Sequence, residues 1–135
     1  MAESLQLEIV TPERLVERDT VQEIQIPGKN GYLGILPGHA PLITELGVGD
    51  ISYKADNTEY HVAVAWGFAE VLPDKVTVLA ETAERAEDID VERARKAKER
   101  AEQSLHTAAT EDESDHALVA LDRANVRLEV AQHRK

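Results

Sequence analysis

The chain has 135 residues, with 26 Asp and Glu against 15 Lys and Arg, a formal net charge of −11, no cysteine and 4% aromatic residues. That length suits one domain or a small domain with an appendage, and that charge repels phosphate backbones and anionic lipid, so a large multidomain enzyme and nonspecific nucleic-acid binding are excluded. Without thiols there are no disulfides, thiolate metal sites or cysteine nucleophiles. No apolar run is long enough to span a bilayer and MAESLQLEIV lacks a signal core, so the chain is expected to stay soluble, without organelle transit or direct membrane insertion.

Charge and composition both divide the chain near Glu84 to Asp90. Residues 1–84 carry five basic and 14 acidic side chains, net −9, whereas residues 85–135 carry ten and 12, net −2. All seven Gly and all five Pro lie before residue 74. Gly and Pro punctuate strands and interrupt helices, so the step predicts a β-rich part over 1–84 and a helical part over 85–135.

In chain order, β-forming stretches occur at 5–10, 21–26, 49–54, 59–72 and 76–80. Turn chemistry separates them at Pro27-Gly28 with Asn30-Gly31, at Asp56-Asn57 and at Pro73-Asp74. Short strands without intervening helices predict two packed antiparallel sheets of eight to ten strands. Beyond them, Asp88 or Asp90 can cap a helix whose seam is Val91, Ala94, Ala97 or Lys98, Ala101, Leu105 and Ala108. TAATEDESD at 107–115 breaks that period, and Thr110 with Glu113 has the spacing of a capping box. Ala117, Leu118, Leu121, Ala124, Leu128 and Ala131 form the second seam. The fold class is therefore α+β, an antiparallel β-sandwich followed by an antiparallel helical hairpin. Alanine-rich seams bury little area per residue, so the hairpin is expected to be marginal and movable.

Catalytic signals are scarce. His39, His61, His106, His116 and His133 lie far apart with no metal-ligand spacing, and no serine sits in a nucleophile elbow. Glu87/Asp88 and Glu111/Asp112/Glu113 read as solvated charge or caps rather than acid–base pairs. Neither a catalytic nor a metal site is expected. The segment at 27–50, PGKNGYLGILPGHAPLITELGVGD, is neither a Walker A nor a dinucleotide fingerprint. Its residues leave two readings open: tight turns at one end of a sandwich, or a rigid apolar loop end, carrying Tyr32, Leu33, Ile35, Leu36, Leu42 and Ile43, offered to a partner.

Three stretches in register, Gly31-Tyr-Leu-Gly-Ile-Leu-Pro-Gly-His-Ala-Pro-Leu-Ile-Thr44, Gly67-Phe-Ala-Glu-Val71 and Ala83-Glu-Arg-Ala-Glu-Asp-Ile-Asp90, resemble the epsilon subunits of bacterial and chloroplast F-type ATP synthases. The resemblance covers the whole chain. It implies a ten-stranded sandwich fixed to the rotating gamma subunit, with one end on the c-subunit ring, and a hairpin that regulates catalysis by reaching the alpha and beta subunits. Gly38-His39-Ala40-Pro41 then belongs to the end nearest the ring, with Tyr32 beside it, and His39 is structural in its immediate contacts. The implied location is the cytoplasmic face of the bacterial membrane, peripherally held.

The hairpin's arginines are unevenly paired. Arg123 and Arg127 have no acidic neighbour at three or four residues, and Arg100 is similar, whereas Arg95 has Glu92 and Glu99. If the helices fold back, Arg93 and Arg100 can converge with Arg123 and Arg127 on an anion such as a triphosphate. Ile89-Asp90-Val91-Glu92-Arg93-Ala94 resembles the Ile/Leu-Asp-x-x-Arg-Ala pattern of epsilon subunits that bind ATP. By that resemblance the site comprises Glu84, Ile89, Asp90, Arg93, Ala94, Arg100, Arg123 and Arg127, with ATP a regulatory ligand and no cofactor required. The readings are a non-catalytic, ATP-sensing rotor subunit of a proton-translocating synthase, an adapter without nucleotide sensing, or an unrelated sandwich module with a helical tail.

Overall fold

The computed structural model describes residues 4–135. Its first half is a seven-stranded sheet: β1 (Leu5–Val10), β2 (Leu15–Val21), β3 (Glu23–Gly28), β4 (Gly31–Ile35), β5 (Leu42–Ala55), β6 (Thr58–Val71) and β7 (Lys75–Arg85), in the order β2-β1-β7-β6-β5-β3-β4. Neighbours are antiparallel except β1 and β7, which run parallel. Alternation along the strands builds the core: Leu5, Leu7 and Ile9 of β1, Ile24 and Ile26 of β3, and Val76 and Val78 of β7 are all buried. The sheet folds over this core into a sandwich, and β2 meets β5 where the Tyr53 hydroxyl donates to Glu17 Oε2 at 3.1 Å.

Seven strands stand where about ten were expected, because β5 and β6 have 14 residues each and β7 has 11. All three break at one line: the β5–β6 pairing skips Gly47 and Trp66, and the β6–β7 pairing skips Trp66 and Glu81. Trp66 and Gly67 have φ of 59° and 123° there. A Cβ on Gly67 would run into the Leu79 carbonyl oxygen, so the bend requires glycine. Each long strand therefore covers the length of two ordinary ones. β2 and β4 were not foreseen, because VERDT is charged and GYLGI reads as turn.

The foreseen turns are present. Asp56 and Asn57, with φ of 52° and 63°, close the β5–β6 hairpin, and the Leu72 amide donates to the Lys75 carbonyl across Pro73-Asp74. After β7 a single 3-10 turn at Ala86–Asp88 leads to α1 (Val91–Thr107) and α2 (Glu111–Ala131). Asp90, not Asp88, caps α1 by accepting the Arg93 amide at 3.1 Å. Thr110 caps α2 through the Glu113 amide, and Glu113 returns a bond to the Ala109 amide.

The helices form a hairpin with Ala94, Ala101, Ala117 and Ala124 buried in its seam. α2 makes most of the hairpin's contact with the sheet, so its buried arc is wider than one seam. Val130 is fully buried against Ala63, Ala86 and Ile89, while Leu118, assigned to the seam from its spacing, is 46% exposed. Among the described residues no helix is long and apolar enough to cross a membrane.

Candidate functional site

A groove of about 970 Å³ runs between the helices, a volume within the usual range for small-molecule sites. Its floor is alanine, including Ala101, Ala117, Ala120 and Ala124, and Thr82 of β7 closes the end nearest the sheet. Small floor residues let the helices approach while leaving room above them. Arg100 from α1 and Arg123 and Arg127 from α2 line it together. Among the described residues neither Arg100 nor Arg123 has an ion-pair partner, while Arg127 Nε lies 2.6 Å from Glu84 Oε1. Three guanidinium groups on two facing helices give the groove planar donors, at least two of them free of ion pairs, while Asp112 and Glu113 line it as well.

The remaining expected site residues are placed differently. Glu84 touches the site through Arg127 and shares a small neighbouring hollow with Arg123 and Arg127. Asp90 caps α1, and Ile89 and Ala94 are buried in packing. Arg93 is exposed and does not line the groove. Its position, seven residues before Arg100 on the same helix, puts it two turns nearer the start of α1. Arg95 is paired with Glu92 at 2.7 Å, as its spacing predicted. Unforeseen was Arg134, which donates to the carbonyls of Ala86 and Ile89 and ties the chain after α2 to the connector. Arg85 is held by Asp88 at 3.0 Å, and that hydrogen bond and charge push its pKa up.

At the opposite end, the Gly38 amide donates to the Pro73 carbonyl at 2.7 Å and the His39 amide to the Leu36 carbonyl at 3.1 Å. His39 Nδ1 is 2.7 Å from the Ala40 carbonyl, a local structural contact. Ala40 and Pro41 are exposed, with Leu36 at 59% and Ile43 at 71% exposure beside them. Tyr32, 53% exposed on β4, accepts the Asp50 amide at 3.1 Å and shares a depression with Leu42 and Ile43, to which Gly38–Pro41 do not contribute.

A second apolar surface was missed. Phe68, Leu79, Val10 and Leu15 are in register across β6, β7, β1 and β2, forming one row on the outer face. Phe68, Leu79 and Leu15 are 52%, 56% and 43% exposed. Its signal was Leu79, which breaks the alternation of Val76, Val78 and Ala80, and apolar residues on both faces of a strand mark a face awaiting cover.

A sandwich with exposed apolar surfaces, carrying a docked helical hairpin around an arginine-lined groove, is a two-part construction suited to binding. The chain belongs to the ATP synthase delta/epsilon chain family: the profile described as "ATP synthase, Delta/Epsilon chain, beta-sandwich domain" matches residues 4–86, and "ATP synthase, Delta/Epsilon chain, long alpha-helix domain" matches residues 87–132. A protein of Koribacter versatilis named ATP synthase epsilon chain is 64% identical over 111 residues, covering 82% of this chain and 78% of the relative. One of the same name from Geotalea uraniireducens is 49% identical over 132 residues, covering 97% and 96%. Among solved structures, a chain of the Euglena gracilis mitochondrial ATP synthase (OSCP/F1/c-ring) superposes with a TM-score of 0.83 at 24% identity over 98% of this chain and 84% of its own. One from the central stalk and c-ring of the Tetrahymena thermophila mitochondrial ATP synthase gives 0.63 at 12% identity, covering 94% and 96%. At those identities the superpositions bear on the fold.

Proposed function

We propose that this chain is a non-catalytic central-stalk subunit of a proton-translocating F-type ATP synthase, joining the gamma subunit to the c ring, and that its hairpin senses ATP and restrains ATP hydrolysis. The observation that carries the sensing role is the convergence of Arg100, Arg123 and Arg127 over the alanine floor of one groove. A triphosphate supplies the charge these groups lack, and bound nucleotide would bridge α1 to α2 and favour the folded-down hairpin. With ATP scarce, the hairpin would leave the sheet and extend toward the alpha and beta subunits as a brake.

The sandwich supplies the partner surfaces. The apolar row through Phe68 and Leu79 suits a broad face on gamma, and the end bearing Gly38, His39, Ala40, Pro41 and Ile43 suits the c ring. The location that follows is peripheral, on the cytoplasmic face of the bacterial membrane.

Calorimetric titration of the full chain with ATP, with and without magnesium, tests the sensing role; one ATP bound per chain without turnover is expected, and no heat of binding refutes it. Removing residues 88–135 from the assembled enzyme tests the brake. Faster ATP hydrolysis with coupling intact is expected, and an unchanged rate leaves an adapter without regulation.

A further inference from the structure

Asp50 of β5, His61 of β6 and His133, just beyond α2, meet where the end of the hairpin touches the sandwich. Each offers a ligand atom, and these atoms lie within 4.8 Å of one another. Asp50 Oδ2 is 2.7 Å from His61 Nδ1, and Glu59 Oε1 is 3.1 Å from His61 Nε2. The His61 and His133 rings are stacked, with centroids 3.7 Å apart and planes at 14°. His61 is only 8% exposed, and Asp50 Oδ1 is buried with no hydrogen-bond partner. A buried carboxylate oxygen without a donor is a costly feature in a folded protein. Here it sits beside two imidazoles and a second carboxylate.

We propose that Asp50, His61 and His133 form a site for a borderline divalent transition ion of the zinc type, which clamps the folded-down hairpin to the sandwich. Two imidazole nitrogens and one carboxylate oxygen select zinc, cobalt or nickel over magnesium or calcium, which favour all-oxygen shells. The carboxylates of Asp50 and Glu59 together match the charge of one dication. Donors around tetrahedral zinc lie roughly 3.3 Å apart, so the 2.7 Å contact between Asp50 and His61 must open, the wider separations, up to 4.8 Å, must close and the stacked rings must part. His133 can make that adjustment: it is exposed and follows the last turn of α2. The three ligands come from both parts of the chain, so an ion held by all three cannot persist once the hairpin leaves the sheet. No sequence motif marks the site because its residues meet only through the docking of α2.

The test is titration of the full chain with Zn2+, followed by calorimetry, and with Co2+, followed by its visible absorption, for the wild type and for His133→Ala, Asp50→Asn and the double control His106→Ala/His116→Ala. One ion per wild-type chain is expected, with affinity reduced at least about tenfold in His133→Ala and Asp50→Asn and unchanged in the control. His133→Ala removes an exposed side chain and leaves the sandwich core intact, so its loss of binding is not a loss of fold. Zn2+ should also slow trypsin cleavage within the wild-type hairpin and not within that of His133→Ala. Absence of ion binding, equal affinity in His133→Ala, or loss of binding in the control would each overturn the proposal. None of these outcomes depends on whether the arginine groove takes ATP.

Discussion

Arg127 of α2 and Glu84 of β7 form an ion pair 2.6 Å long that joins the hairpin to the sandwich and aims the guanidinium along the edge of the groove. Both side chains are about a third exposed, at 37% and 33%, so water screens the pair and its contribution to docking is at most about 1 kcal/mol. Glu84→Gln should therefore leave the hairpin docked, with hydrogen exchange in α2 faster by no more than roughly fivefold. A larger acceleration would make the ion pair the principal tether.

The principal tether is apolar. Ile89, 2% exposed, packs with Ala63 of the sheet, Ala86 of the connector, and Val130 and Ala131 of α2. Ile→Ala at a buried site costs about 2–5 kcal/mol, more than the ion pair supplies. Ile89→Ala should release α1 and α2 to rapid trypsin cleavage while the unfolding midpoint of the sandwich stays put, because no residue of the main core lies beyond Ala83. Coincident loss of both parts would show them to be one cooperative unit.

Gly67 fixes the bend of the three long strands. At φ of 123°, and with the Leu79 carbonyl oxygen where a Cβ would lie, it can accept no side chain without a backbone shift. Gly67→Ala should destabilise the sandwich by about 3 kcal/mol, the upper range for such strain, and lower the midpoint by more than roughly 10 °C. A midpoint within a few degrees of wild type would mean that the bend tolerates rearrangement.

These elements also show what was legible beforehand. The Gly/Pro cut-off, the Asp56-Asn57 turn and the Thr110–Glu113 cap are local signals, and each corresponds to what the structure contains. β2 was hidden because Glu17 and Asp19 put charge in register with Ile9 and Leu7, where an alternating strand would carry apolar residues, and β4 because two of its five residues are glycines. Arg100, Arg123 and Arg127 were legible as arginines short of helical partners. Glu84 entered the expected site through family resemblance alone, and its pairing with Arg127, which spans strand and helix, came only from the structure. Arg93 shares a motif with Asp90 and lies on the same face of α1 as Arg100, yet two turns nearer the helix start it falls short of the groove, because a short pattern specifies a helix start more firmly than the reach of each side chain.

The outer row offers a test of partner binding that spares the fold. Phe68 and Leu79 are more than half exposed, so their replacement leaves the core packed. If this row is the proposed contact with a gamma subunit, Phe68→Glu or Leu79→Glu should weaken capture of this chain by that subunit at least about a hundredfold, as expected when a charge is set in the apolar centre of an interface, with the circular dichroism spectrum unchanged. Undiminished capture would move the gamma contact elsewhere on the sandwich.

The arginine groove carries the last prediction. Arg123→Ala and Arg127→Ala each delete a charge-assisted donor, and such a contact to phosphate is worth about 1.5–3 kcal/mol, or roughly 10- to 150-fold in Kd. Arg127→Ala also frees Glu84, leaving an uncompensated carboxylate near the phosphate, so its loss should be the larger of the two. Arg95→Ala should change little, since Arg95 is already engaged by Glu92 at 2.7 Å and is absent from the groove lining. Arg93→Ala separates motif from geometry. If the groove's lining sets affinity, Arg93→Ala behaves like Arg95→Ala; if the Ile89-to-Ala94 pattern marks a direct phosphate contact, it behaves like Arg123→Ala and requires α1 to shift on binding. ATP at a hundredfold excess over Kd would stabilise the docked hairpin by about 2.7 kcal/mol, comparable to the cost of Ile89→Ala. Saturating ATP should therefore restore protease resistance to the Ile89→Ala hairpin in part, and failure to do so while ATP still binds would separate nucleotide binding from hairpin position.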